Sequence, residues 1–191
     1  NGRALLPVVV SPRASPQTRE VAAELASHLA RIAGADFEVR TGDGSEGIVL
    51  GTKAEFGCAE GALEIRGGYD GREAFVIEAG GPGPRLIGAT DLAVSHAAFH
   101  FLEQLGCRWF FPAKEWEVVP RAERLSYVVA APEIGRDARP KILARRIWYG
   151  YGPFPDDKRH PLGGSCQKDY EDWARRNRMA SSFRMAAIRS E

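Results

Sequence analysis

The stretch RLIGATDLAVSHAAFHFLEQLGCRWFFP, residues 85–112, decides the architecture. Arg85-Leu86-Ile87-Gly88 is a short apolar run that reads as a strand. Thr90 stands where a helix needs its N-cap and Gly106 where a helix stops, so a helix is predicted over 90–105. At about a hundred degrees per residue, Leu92, Val94, Ala98, Phe99, Phe101, Leu102 and Leu105 cover one broad face. Ala93, His96, Ala97, His100, Glu103 and Gln104 fall on the other, which is expected to face solvent. Cys107 to Phe111 then reads as an aromatic strand, stopped by Pro112.

Upstream, Leu5 to Val10 is a β-branched apolar run, and Pro7 inside it argues for an edge position or a strand start. Ser15-Pro16 pairs an N-cap with proline at the first helical position. Val21, Leu25, Leu29 and Ile32 follow at helical spacing up to Gly34, which predicts a helix over 16–33. Phe37 to Arg40 alternates as a half-buried strand should, and Ile48-Val49-Leu50 is a short strand between glycines. Residues 53–68 are ambiguous. Glu73 to Glu78 is a strand joined to Arg85–Gly88 through the hairpin loop Gly80-Gly81-Pro82-Gly83. Glu115 to Val119 and Leu125 to Val129 add two short strands. The expected class is α/β of the α+β type: a mixed β-sheet with two long helices packed on one face.

Residues 131–141 are rich in Pro, Gly, Asp and Arg and read as a linker between a domain at 1–130 and a further segment, 142–191. That segment holds a strand at Ile142–Tyr149, a long loop at Gly150–Ser165 and a helix at Gln167–Ala180. A strand, a loop and a helix with nothing after them look like the opening unit of a larger α/β domain.

Composition excludes several partners. Lys plus Arg is 26 against 25 for Asp plus Glu, a net charge of +1, which leaves no field to hold nucleic acid or an anionic membrane. No apolar run approaches the roughly 20 residues of a membrane span. The start, Asn1-Gly2-Arg3, is that expected of a processed or trimmed product. Cys58, Cys107 and Cys166 have no metal-binding spacing and are expected as buried free thiols. No cofactor motif is present.

Several of these runs, in this order, resemble a known family. They are Ile32-Ala33-Gly34-Ala35, Gly47-Ile48-Val49-Leu50-Gly51, Phe75-Val76-Ile77, Leu86-Ile87-Gly88-Ala89 and Ala98 through Pro112, closed by Glu115 and Val119-Pro120. Over roughly residues 5–130 they resemble the N-terminal domain of α-glucuronidases and their uncharacterised bacterial relatives, which is similar to the domain before the barrel in β-hexosaminidases. The second helix departs from the family habit, beginning at Ala89-Thr90-Asp91-Leu92 rather than after a glycine-rich turn. The resemblance implies a domain without catalytic residues, followed by a (β/α)₈ barrel that holds the active site. Arg145-Arg146-Ile147-Trp148 and Trp173 through Met179 look like that barrel's first strand and first helix, the start of a truncated barrel. It also implies export, so an extracytoplasmic (periplasmic or secreted) location is expected.

His96 and His100 lie four apart on a predicted helix, but Ala97 stands where a zinc protease has its Glu and no third ligand is marked, so no metal is expected. Gly80, Gly81 and Gly83 lack the Lys-Ser/Thr pair of a phosphate loop. Arg108, Trp109, Phe110 and Phe111 form an aromatic cluster that suits sugar stacking or core burial; docking on the downstream barrel is the favoured reading. Arg146, Trp148 and Tyr149, toward the end of the first barrel strand, and Tyr151, in the loop after it, stand where barrel loops build active sites, and are the candidate substrate-binding residues. Arg146 suits a bidentate grip on a carboxylate or hydroxyls; an ion pair in a barrel wall is the equal alternative. No catalytic triad or paired-carboxylate constellation is recognisable. The expectation is a non-catalytic accessory domain whose partners are the downstream barrel of its own chain and a carbohydrate substrate. The alternative is a stand-alone glycan- or protein-binding module.

Overall fold

The computed structural model describes residues 2–58, 63–65, 71–80, 82–122, 125, 145 and 163–179. The chain divides into two compact units: Asn1–Cys107 with Val119–Pro140, and Arg108–Val118 with Lys141–Glu191.

In the first unit the order is β1 (Gly2–Arg3), β2 (Val8–Val10), α1 (Pro16–Ala33), β3 (Ala35–Asp36), β4 (Val39–Thr41), β5 (Ile48–Thr52), α2 (Lys53–Phe56), β6 (Phe75–Gly80), β7 (Gly83–Gly88) and α3 (Asp91–Gln104). A five-stranded sheet runs β4-β2-β5-β7-β6. The first four strands are parallel and β6 is antiparallel to β7, so the sheet is mixed as expected.

Register sorts the two faces, because side chains alternate along each strand. Val10, Leu50, Leu86 and Ile77 form one row across the sheet, with Val8 and Ile48 beside it. On this face lie α1 and α3, which touch both the sheet and each other. Leu25 and Leu29 of α1 and Phe99 and Leu102 of α3 are fully buried there, each contributing about 1.5–3 kcal/mol of transfer free energy. The opposite face carries Val49, Ile87 and Val76, which cluster with Leu63 and Ala74 under Phe56. Arg85 lies on that face, bonded to Glu78 at 2.8 Å and to the Phe56 and Gly57 carbonyls closing α2.

The helix ends follow their sequence signals. Ser15 Oγ accepts from Thr18 N at 3.0 Å, and Gly34 closes α1 in the left-handed region with its N–H on Ala30 O. Thr90 Oγ1 accepts from Ala93 N at 3.3 Å to start α3. Asp91, the first residue of α3, ties the two starts together, since its Oδ1 accepts from Ser15 Oγ at 2.8 Å and Thr18 Oγ1 at 2.7 Å. A carboxylate there also faces the positive ends of two helix dipoles. At Gly88, a Cβ would meet Val94 N at 2.3 Å, so only glycine lets β7 run this close under α3.

Four expectations need correction. The strand expected over Leu5–Val10 is only Val8–Val10, since Leu5 points to solvent and Pro7 stands just before a central strand. The half-buried strand at Phe37–Arg40 is instead Val39–Thr41, whose three residues are all exposed because β4 is the sheet edge. The aromatic strand Cys107–Phe111 shrinks to Arg108–Trp109, as Gly106 (φ 99°) turns the chain out of α3. The strand at Glu115–Val119 is Glu117–Val118, preceded by a short 3-10 helix at Lys114–Trp116. The strands expected at Ile142–Tyr149 and Leu125–Val129 lie outside the described residues, except for Arg145 and Leu125 themselves.

Candidate functional site

The second unit contains the aromatic cluster. β8 (Arg108–Trp109) and β9 (Glu117–Val118) pair antiparallel, with Trp109 opposite Glu117. Below them lies α4 (Gly163–Arg176). Of the four residues singled out, Trp109 alone turns inward, while Arg108, Phe110 and Phe111 are exposed. The Trp109 indole donates to Glu117 Oε1 at 2.9 Å, which satisfies the ring nitrogen that burial would otherwise strand. Its carbonyl oxygen accepts twice from α4 and its end: from Trp173 Nε1 at 2.9 Å and from Asn177 Nδ2 at 3.1 Å. Asn177 Nδ2 also donates to Trp173 O at 2.9 Å, so one amide locks the helix end and the hairpin at once.

The outer side of the hairpin is different. Phe110, Phe111 and Trp116 are 58%, 59% and 54% exposed. The Phe111 and Trp116 ring centroids are 5.1 Å apart with planes tilted by 60°. Phe110 N donates to Trp116 O, Ala113 N to Phe111 O, and Trp116 N to Ala113 O, all at 2.9–3.1 Å. The turn under the rings is therefore built from its own backbone.

On α4, Asp172 accepts from Lys168 Nζ at 2.9 Å and Arg175 Nη2 at 3.1 Å. Burial works to raise its carboxyl, but those two hydrogen bonds and charges outweigh it and hold the group below its ordinary range. The Tyr170 and Trp173 rings meet at 5.8 Å with planes tilted by 44°, and Ala174 is buried. Arg178, two residues past the end of α4, lies in the left-handed region, and its carbonyl accepts from Arg145 Nε at 2.9 Å.

The candidate substrate residues Arg146, Trp148, Tyr149 and Tyr151 lie outside the described residues, as does the loop at 150–162. His96 and His100 part company. His100 is half-buried with its ring 5.4 Å from Phe75, whereas His96, expected on the solvent face, is fully buried. The reason is that α3 packs on the sheet along one side and on α1 along another, leaving Gln104 as its one exposed residue. Among the described residues no group of three or more His, Cys, Asp or Glu is arranged to hold a metal ion. Nor is any helix among them long and apolar enough to cross a membrane. Gly80 and Gly83 close the β6–β7 hairpin, as their composition suggests. The sequence reading missed Trp173 and Asn177 as partners of Trp109 and missed Trp116 as the fellow of Phe111.

No family model matches the chain. No curated protein matches it either. Among solved structures it is similar to a family GH115 4-O-methyl-α-glucuronidase with specificity for decorated arabinogalactans, with a TM-score of 0.61 and 17% identity over 93% of this chain and 25% of that one. The likeness is one of fold. The chain spans about a quarter of that enzyme's length. A GH20 β-N-acetylhexosaminidase from Streptomyces coelicolor A3(2) overlaps more loosely, with a TM-score of 0.37 and 22% identity over 54% of this chain and 17% of that one.

Proposed function

We propose that the chain is the non-catalytic N-terminal part of a carbohydrate-processing glycoside hydrolase. Residues 1–130 form its accessory α/β domain, and 142–191 form the first strand, loop and helix of a (β/α)₈ barrel. The observation that carries this reading is the fold likeness to the α-glucuronidase, which runs over 93% of this chain and only 25% of that one. The residues favour it too. Glycoside hydrolysis needs two carboxyl groups about 5–9.5 Å apart at a sugar site. Among the described residues the one buried carboxylate is Glu78, and Arg85 holds it in an ion pair.

Under this reading the catalytic pair lies further along the chain, and Arg146, Trp148, Tyr149 and Tyr151 meet substrate at the mouth of the barrel. Arg146 supplies a planar, permanently charged fork for a uronate carboxylate or vicinal hydroxyls. Trp109 fastens the aromatic segment to the helix that opens the barrel, through the two hydrogen bonds from Trp173 and Asn177. The setting is extracytoplasmic. The test is twofold. The purified 191-residue chain should turn over no aryl glycoside or glucuronide, and the reading frame beyond Glu191 should continue for several more strand–helix repeats. Turnover abolished by one internal substitution, or a stop codon directly after Glu191, would refute the proposal.

A further inference from the structure

From the outer side of the hairpin we infer a carbohydrate platform: Phe111 and Trp116 form a stacking corner for the pyranose rings of a neutral glycan chain. The faces of aromatic rings are electron-rich. The axial C–H bonds of a pyranose carry the complementary partial charge and present an apolar patch of about ring size. Phe111 and Trp116 stand 5.1 Å apart at 60° and more than half of each is open, so the corner can meet a sugar chain on two inclined surfaces. Three backbone hydrogen bonds within residues 110–116 already fix the turn beneath them, so little backbone freedom is lost on binding. Lys114 and Glu115 are exposed on the same turn and offer a donor and an acceptor for ring hydroxyls.

Size distinguishes this ligand from a protein. An aromatic side chain presents about 150–250 Å², so the half-open Phe111 and Trp116, with the exposed Phe110 beside them, offer roughly 350 Å² in all. A stable protein interface takes about 800 Å² from each partner, whereas one or two sugar rings need no more than the pair presents. Of the segment's other two large aromatics, Phe110 is exposed beside the corner and Trp109 is turned inward.

This inference rests on the carbohydrate-processing reading for its choice of probe. The experiment is affinity electrophoresis of the 191-residue chain through native gels containing soluble arabinogalactan or xylan, against a gel with neither. The chain should be retarded by at least one of them. Phe111→Ala and Trp116→Ala should each weaken the apparent affinity about tenfold, and Trp116→Phe should retain most of it. Phe111→Gln and Trp116→Gln, which keep bulk but remove the π face, decide the outcome should an alanine variant lose its circular dichroism signal. No retardation of the wild-type chain in either gel overturns the platform, and so does retardation unchanged in the alanine and glutamine variants. Sedimentation provides a third arm: a wild-type dimer that becomes monomeric in Trp116→Ala assigns the corner to a second copy and overturns the sugar. Failure of the accessory-domain reading is separate, since it appears as glycoside turnover by the chain itself whatever the gels show.

Discussion

Asp91→Ala removes the carboxylate that joins the starts of α1 and α3. In the native chain its Oδ1 accepts hydrogen bonds from Ser15 Oγ at 2.8 Å and Thr18 Oγ1 at 2.7 Å. Ser15 Oγ keeps a second engagement, accepting from Thr18 N, but Thr18 is fully buried and its hydroxyl would be left beside a methyl group. Stranding a buried hydroxyl costs about 1–3 kcal/mol. Losing the negative charge from the helix N-terminus adds about 0.3–1 kcal/mol. The expected total is about 2–3 kcal/mol, a fall in Tm of roughly 4–12 °C at the 2–4 °C per kcal/mol typical of chains this long. Urea titration with circular dichroism measures it. Asp91→Asn keeps an acceptor and should recover more than half of the loss. Thr18→Val in the Asp91→Ala background removes the stranded hydroxyl and should cost less than Thr18→Val alone. A stability within about 0.5 kcal/mol of wild type for Asp91→Ala, or strict additivity in the double variant, would refute the reasoning.

Gly88→Ala should destabilise by about 3 kcal/mol or more, because the added carbon meets the Val94 amide at 2.3 Å and backbone cannot step aside as a flexible side chain can; a urea midpoint close to wild type would contradict this. Trp173→Phe removes the indole donor to Trp109 O and leaves Asn177, so amide exchange across Arg108–Val118 should accelerate about tenfold for a lost bond near 1.4 kcal/mol, and unchanged exchange would count against the seat described. Asp172 is depressed in the folded chain, so its contribution to α4 is present above the ordinary carboxylate pKa near 4 and is lost as pH falls through the lower folded value. Carboxyl NMR should find that midpoint below the ordinary one, and exchange in α4 should quicken with acid less steeply in Asp172→Asn.

Local chemistry made some elements readable in the sequence and hid others. The span of α1 is legible because both of its ends are set by single residues, Ser15-Pro16 and Gly34, whose preferences need no tertiary partner. The β6–β7 hairpin is legible for the same reason, through Gly80 and Gly83. The burial of His96 is not, because helical periodicity points to one apolar face while α3 is enclosed from two directions. The alternation at Phe37–Arg40 gives the right kind of element but not its register, since an edge strand pairs on one side only, here with β2. Asp91 looks like an ordinary first-turn acid; its partners lie 76 and 73 residues upstream. The candidate site was half legible: density of aromatics marks Trp109 and Phe111, but only folding decides that one turns inward and the other out.

The seat of Trp109 also has a place in time. Its two donors, Trp173 and Asn177, are encoded 64 and 68 residues later. At 5–20 residues per second, a ribosome takes roughly 3–13 s to supply the first of them. By then every strand of the five-stranded sheet and both long helices have been made, so that sheet can close while the two donors to the Trp109 carbonyl are still missing. For those seconds the nascent chain displays Trp109 together with Phe110, Phe111 and Trp116, the kind of apolar segment that chaperones bind. Slowing elongation between Trp109 and Trp173 lengthens that display without altering a single residue of the finished protein.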